Sequence, residues 1–319
     1  MKKIQIAVLD DYQNAALNMA DWTVLDDNAD ITIFNDHIFA EEILVKRLKS
    51  FDILCVMRER TPLTQQLLTQ LPKLKLIIST GSVNAAIDVK AAETLGIEVQ
   101  FTGYVSSGAI ELTWALLMAA ARNIPQENAS VKNGGWQTTV GSDLSGKTIG
   151  IIGLGNIGQK IAIIAKAFDM NVIAWSANLT AEKAALHGAK YVSKEVLFTE
   201  ADFITIHLVL GKSSRGIIAA ADFAQMKPDA YFINTSRGPL VNEKDLIDVL
   251  TRKGIAGAAL DVFDIEPLAA DHPFRKLDNV LATPHIGFVT KNTYSLFFKD
   301  TVSHLVRWIT ARSTTPVNE

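Results

Sequence analysis

Three short segments place ionisable side chains where a proton and an anion could be handled together. Tyr231–Val241 carries Arg237, Ala258–Pro267 carries Asp261 and Glu266, and Leu281–Gly287 carries His285. Each is an apolar run that ends in a polar residue beside glycine or proline. Histidine gives or takes a proton near neutral pH. A carboxylate beside it orients the imidazole and favours the charged form. Arginine presents planar donors that match a carboxylate and a carbonyl oxygen. Such a set suits reduction of a carbonyl on an anionic substrate, given a hydride donor.

A fourth segment points to that donor. Thr148-Ile-Gly-Ile-Ile-Gly153-Leu-Gly155-Asn-Ile-Gly158 is an apolar strand running into Gly-x-Gly-x-x-Gly and then into a helix. Gly153 permits the tight turn, Gly155 lets backbone approach a pyrophosphate, and Gly158 lets helix and strand pack closely. The pattern expects an acidic residue about 20 positions on, to bind the ribose hydroxyls. Here the next strand ends in Ser176-Ala177-Asn178, with no carboxylate. No arginine adjoins Ser176, and the nearest cation is Lys183. NAD(H) is favoured, with NADP(H) admitted as the alternative.

The elements that must position these residues alternate along the chain. Ile4–Leu9, Ile31–Phe34, Ile53–Met57, Leu74–Ser79 and Ile97–Phe101 read as strands. Helices are expected over Glu41–Lys49, from an N-cap at Thr61-Pro62, and over Ala85–Leu95 before Gly96. Ser107–Arg122 is a long apolar helix, followed by the glycine-rich arm Asn133–Ser142. A second series has strands at Thr148–Gly153, Asn171–Trp175, Phe203–Leu208, Ala230–Asn234, Ile255–Asp261 and Val280–Thr283, with helices Ile157–Phe168 and Glu243–Lys253 among them. Lys291–Ala311 closes the pattern as a helix with one apolar face. Continuous apolar strands separated by helices imply parallel sheets covered on both faces.

Length and composition bound the rest. At roughly 150 residues per domain, 319 residues make about two domains. Net charge is 31 − 34 = −3, which gives no electrostatic reason to expect nucleic acid or an anionic membrane. No apolar stretch reaches the ~18 residues of a membrane span, and the start lacks a signal-peptide cleavage site; a cytoplasmic protein is expected. The single cysteine, Cys55, cannot form an intrachain disulfide, and no metal site is expected. His37, His187, His272 and His304 lack metal-ligand spacing and read as surface or capping groups. His207 ends a strand on the cofactor side and reads as structural.

Taken in order and spacing, these segments closely resemble the D-isomer-specific 2-hydroxyacid dehydrogenases. The resemblance spans nearly the whole chain and rests on the Rossmann turn, Ala201-Asp-Phe-Ile-Thr-Ile-His-Leu208, Asn234-Thr-Ser-Arg-Gly238, Leu260-Asp-Val-Phe263, Glu266-Pro267 and Thr283-Pro-His-Ile-Gly287. It implies Arg237 as substrate clamp, His285 as acid and base, and Glu266 as its partner. It further implies that Asn156, Ile157, Ser176, Leu208 and Val209 join the three glycines at the cofactor. Thr235, Ser236, Asp261 and Gly287 belong to the same expected set, with Asp261 near the nicotinamide carboxamide. The loop Ile78–Asp88 matches the one whose backbone N–H groups, here of Ser82 and Val83, hold the substrate carboxylate. Arg58 matches a cation that some relatives aim at the substrate. Val83 stands where the family has a second glycine, Ala86 where it has asparagine, and Val209 where it has proline.

The resemblance therefore implies a small D-2-hydroxy acid and its 2-oxo acid, of the glyoxylate or hydroxypyruvate kind, as substrates. It implies a homodimer formed through the helix 107–122 and the arm after it. The partition expected is a flavodoxin-like substrate domain, 1–102 with 287–319, into which a doubly wound Rossmann cofactor domain, 103–286, is inserted. The crossings near 102 and 287 would hinge a cleft over Arg237, Glu266 and His285. Two other readings compete: a non-catalytic dinucleotide-sensing protein of the same fold, and a dehydrogenase of another small anion. Glu266 argues against formate, since formate enzymes carry glutamine there. Ser82 argues against phosphite, since those enzymes carry a lysine in that loop.

Overall fold

The computed structural model describes residues 3–313. Packing divides the chain into two units, Met1–Val105 with Thr290–Glu319, and Ser106–Val289. The first is built on five parallel strands, β1 (Ile4–Val8), β2 (Ala29–Ile33), β3 (Ile53–Val56), β4 (Leu76–Ser79) and β5 (Glu98–Phe101). Their order is β2-β1-β3-β4-β5, the flavodoxin-like winding. β3 and β4 are buried along their whole length, as strands covered on both faces must be. One face packs on Leu44 and Leu48, Leu67 and Leu68, and Ala91 and Ala92 of three short helices. The helix Lys291–Ser313 also belongs to this unit. Its Phe297 and Phe298 are fully buried, and Phe298 lies 6.3 Å from Trp22.

The second unit has seven parallel strands: β6 (Thr148–Ile152), β7 (Asn171–Trp175), β8 (Lys190–Tyr191), β9 (Phe203–Ile206), β10 (Tyr231–Asn234), β11 (Gly257–Leu260) and β12 (Val280–Ala282). The order β12-β11-β10-β9-β6-β7-β8 is the Rossmann winding, which reverses between β9 and β6. The helices Ser107–Ala121 and Asn156–Ala167 cover one face, with Trp114, Leu117, Ile161 and Ala162 against Ile149, Ile151, Phe203 and Ile233. Phe198, Phe223, Leu246 and Leu250 cover the other against Ile204, Ile206 and Phe232. Both sheets are therefore doubly wound, and no helix among the described residues is long and apolar enough to cross a membrane.

Some local expectations differ from the structure, and one helix falls outside them. Thr61-Pro62 does not open a helix: the turn Gln65–Leu68 is capped by Thr64, whose hydroxyl accepts from Leu67 N at 3.2 Å. The Thr61 hydroxyl donates instead to Asp10 Oδ2 at 2.5 Å, a partner brought in from β1's end. His37 is no surface group; its side chain is 7% exposed and Nδ1 lies 2.9 Å from Asp10 Oδ1. The helix Ile124–Lys132 escapes periodicity because Gln126, Glu127 and Asn128 interrupt any apolar stripe.

Candidate active site

The three sequence segments end at the carboxyl edge of the second sheet. Beyond β10 the chain turns sharply, and the buried Asn234 holds that turn. Its Oδ1 accepts from Ser236 N at 3.0 Å, and its Nδ2 donates to Arg237 O at 3.0 Å. The Ser236 hydroxyl donates to Ile206 O at 2.7 Å, which ties the turn to the neighbouring strand. Arg237 donates from Nη1 to Ser236 O at 2.7 Å. Gly238 follows, and a Cβ there would sit 2.1 Å from Phe263 C and 2.2 Å from Phe263 O. Only glycine lets the Arg237 loop lie against the backbone that leads to Glu266.

His285 Nδ1 lies 2.6 Å from Glu266 Oε2, and Glu266 Oε1 accepts from Phe263 N at 2.9 Å. The carboxylate can only accept, so Nδ1 carries the proton and Nε2 is left to exchange one with a ligand. Both side chains are partly open to solvent, and the imidazole edge meets Phe288, centroids 5.3 Å apart. His285 has φ of +52°, a left-handed conformation that costs a non-glycine residue about 1 kcal/mol or more. Asp261 holds it there. This fully buried carboxylate accepts from Thr283 Oγ1 at 2.6 Å, Ile286 N at 2.8 Å and Gly287 N at 2.8 Å. Burial raises the Asp261 pKa, against the lowering effect of these bonds and of the His285 charge. Its place in the expected set was as a cofactor contact. The geometry adds a second duty, clamping the histidine turn, which sequence could not show because its donors lie on the next strand's exit.

The glycine turn fits a dinucleotide. Gly153 has φ of +95°, and a Cβ there would lie 2.6 Å from His207 O. A Cβ on Gly158 would lie 2.1 Å from Gly153 O. At Gly155 nothing lies within 4 Å of that position, so the turn is open on the side where a pyrophosphate would approach. Gly155 is also the N-cap of the helix Asn156–Ala167, with no side chain capping it. The N–H groups of Asn156, Ile157 and Gly158 thus have no helical acceptor and face outward with the helix dipole. Ser176 is partly buried beyond β7, and Leu208 is partly buried against the core, whereas Val209 is 89% exposed. Thr235 Oγ1 pairs with Thr113 Oγ1 at 2.7 Å. Gly287 packs beside Asp261, where a Cβ would meet Oδ2 at 3.2 Å. No group of three His, Cys, Asp or Glu among the described residues could hold a metal ion.

In the first unit, the loop after β4 is built around Gly81 and Asn84. Gly81 has φ of +89° and donates from N to Thr102 Oγ1 at 2.8 Å. The buried Asn84 donates to Arg58 O at 2.6 Å and Ser79 Oγ at 3.0 Å. Ser82 and Val83 are exposed, Val83 to 67%, and neither N–H meets an acceptor among the described residues. Arg58 has φ of +51° and stacks its guanidinium over Tyr104, 5.0 Å from the ring centroid. Its Nη1 occupies the space a Gly81 side chain would fill. Tyr104, Asn84 and Asn234 are contributors that sequence reasoning missed; for Asn234 the signal was a polar residue ending an apolar strand.

Known proteins resemble this chain. Residues 114–287 match the family model described as D-isomer specific 2-hydroxyacid dehydrogenase, NAD binding domain. A glyoxylate reductase of Thermococcus litoralis is 38% identical over 258 residues, covering 78% of this chain and 77% of its own. A hydroxypyruvate reductase of Thermotoga maritima is 37% identical over 82% of this chain and 85% of its own. A D-3-phosphoglycerate dehydrogenase of Methanocaldococcus jannaschii is 42% identical over 79% of this chain, which spans only 48% of that protein's length. A crystal structure of a phosphoglycerate oxidoreductase from Vibrio cholerae superposes with a TM-score of 0.91 at 38% identity, covering 97% of this chain and 99% of that one.

Proposed function

The chain belongs to the D-isomer-specific 2-hydroxyacid dehydrogenases, and from that premise we propose that it reduces a small 2-oxo acid to the D-2-hydroxy acid. The observation that carries the reading is the 2.6 Å His285–Glu266 pair, set on loops in backbone contact with the Arg237 turn. A dinucleotide held at the glycine turn would supply the hydride for C2 of the substrate, or take it up in the reverse direction. Arg237 holds the substrate carboxylate and draws charge onto the carbonyl oxygen as C2 is attacked. His285 delivers the proton from Nε2 to that oxygen, and Glu266 stabilises the imidazolium through Nδ1. In oxidation His285 takes the same proton back. The Ser82 and Val83 N–H groups and Arg58 are assigned to the carboxylate end of the substrate.

Residues Gly153, Gly155, Asn156, Ile157 and Gly158 would hold the pyrophosphate, and Ser176, Leu208 and Val209 the adenosine. Thr235, Ser236, Asp261 and Gly287 are assigned to the nicotinamide half. NAD(H) is our preference over NADP(H), because no cation adjoins Ser176 to receive a 2′-phosphate. We also infer a homodimer. Ile124, Val131, Trp136 and Val140 are exposed, the last two to 73% and 97%. The arm bearing Trp136 and Val140 is nonetheless fixed by Glu127, which accepts from Thr138 and Thr139. An ordered arm that holds Trp136 and Val140 exposed suits a subunit contact. The cytoplasm is where we place the enzyme, since its free Cys55 suits a reducing compartment.

Steady-state rates for a panel of 2-oxo acids, run with NADH and NADPH in parallel, test the activity and the cofactor together. Oxidation of NADH by glyoxylate or hydroxypyruvate is expected. No turnover with any 2-oxo acid would sink the assignment. Light scattering on a sizing column checks the dimer, and Trp136→Glu should shift it toward monomer.

A further inference from the structure

A second histidine–glutamate pair stands behind the first. Glu243, at the start of the helix Glu243–Thr251, accepts from Asp264 N through Oε2 at 3.2 Å, and its Oε1 lies 3.1 Å from His272 Nε2. Phe274 N donates to His272 Nδ1 at 3.3 Å, so the proton of the neutral ring sits on Nε2 and is donated to Glu243. Glu266 uses its two oxygens in the same way, one for Phe263 N and one for His285. The two carboxylates thus hold successive backbone N–H groups, one from within the loop and one from outside it.

The peptide between Phe263 and Asp264 is where the parts of the site meet. It lies against Gly238, the residue after Arg237, so closely that a Cβ there would sit 2.1 Å from Phe263 C and 2.6 Å from Asp264 N. The Phe263 ring is buried, 6.1 Å from Phe274, which in turn lies 5.0 Å from the His272 ring. The stretch that follows is far more open: Asp264, Ile265 and Pro267 are exposed, Ile265 to 72%. Among the described residues, the hydrogen bonds and ion pairs that run from residues 262–276 to the rest of the chain go to His285 and Glu243 alone. Apart from the histidine it serves, the loop carrying Glu266 therefore has one outside polar anchor, and that anchor is Glu243.

We infer that Glu243 is a positioning residue: by holding the Asp264 N–H it fixes the Phe263–Asp264 peptide, and so sets the Glu266 carboxylate at hydrogen-bond distance from His285. The inference rests on the dehydrogenase reading, in which Glu266 stabilises the imidazolium of His285. A carboxylate displaced by about 1 Å stabilises that charge less as the proton moves, which is felt in turnover and not in cofactor binding.

Steady-state reduction of 2-oxo acids, glyoxylate and hydroxypyruvate among them, by full-length variants tests this, with NADH binding read by fluorescence. Glu243→Ala should lower kcat by about tenfold or more, while NADH affinity stays within about threefold of wild type. Glu243→Gln keeps an oxygen for the Asp264 N–H and should recover most of that loss. The same substitution is then placed on Glu266→Ala, which has no carboxylate to position. There Glu243→Ala should lower kcat by no more than about twofold further, whereas a merely structural role would repeat its whole effect. Thermal unfolding checks that the variants are folded; should Glu243→Ala fail, Glu243→Asp, one methylene shorter, carries the same comparison. A kcat unchanged by Glu243→Ala, or the same fold-loss on both backgrounds, overturns the proposal. No turnover by wild type with any 2-oxo acid would overturn the dehydrogenase reading, and this role with it.

Discussion

The two sheets reverse their winding at equivalent points and furnish those points in opposite ways. Between β6 and β9 the second sheet leaves room: Gly153 has no side chain, Gly155 faces open space, and three helix N–H groups are uncapped. Between β1 and β3 the first sheet fills the same position with side chains. Asp10 there accepts from His37 at 2.9 Å and Thr61 at 2.5 Å, and its carbonyl accepts from Arg60 at 2.6 Å. Arg60 also stacks over Tyr12 at 4.4 Å. A doubly wound sheet thus offers a crevice by topology, but the residues decide whether it takes a ligand or a plug.

The largest expected effect tests the open edge. His285→Ala should lower kcat by roughly 10²–10⁴-fold, while NADH affinity by fluorescence stays within about threefold. Retained turnover would remove the histidine from the chemistry. Next, Gly153→Ala forces a Cβ toward His207 O at a positive φ, and should weaken NADH binding by about tenfold or more. Its counterpart in the plugged edge, Asp10→Ala, should leave NADH affinity unchanged. It should cost about 3 kcal/mol in urea unfolding, because the His37 and Thr61 side chains lose their acceptor. A swap of these two outcomes would break the contrast.

A smaller effect is pH-dependent. The native His207 ring stays neutral down to about pH 3, while the unfolded chain binds that proton near 6.5. Between those values the unfolded state holds more protons, so stability rises with pH and is lost as pH falls from 6.5 toward 3. The wild-type stability profile should therefore be steeper through that window than that of His207→Asn. The smallest expected effect is none at all. Cys55, paired in register with Val8 next to the plugged point, is buried and its thiol is pushed up to about 12. Iodoacetamide at pH 8 should leave it unlabelled in the native protein, and rapid labelling would mean the first sheet's edge is open.

Sequence carried the site further than it carried the plug. Arg237, Glu266 and His285 announce themselves because each follows an apolar strand and adjoins a glycine or proline, so local pattern and chemistry coincide. Parallel sheets covered on both faces were legible from strand–helix alternation, whereas the two windings came only with the family resemblance. Asp10, His37 and Thr61 stand far apart in sequence, and only the strand order brings them together; Thr61 even resembled a helix cap. Asp261 was legible as polar at a strand end, but not as the clamp of a left-handed histidine, since its three donors come from a different strand's exit. Local rules see neighbours in sequence, and these partners are neighbours in space.

The placement of the helix Lys291–Ser313 in the first unit bears on how the protein is born. The unit Ser106–Val289 is continuous, so it can fold as soon as its own residues have left the ribosome. The first unit cannot finish so early, for its core includes Tyr294, Phe297, Phe298 and Trp308. At 5–20 residues per second, the roughly 190 residues between Val105 and Tyr294 impose a delay of about 10–40 seconds. During that interval the first unit waits without its last helix, and the apolar surface around Trp22 that Phe298 meets stays open to solvent.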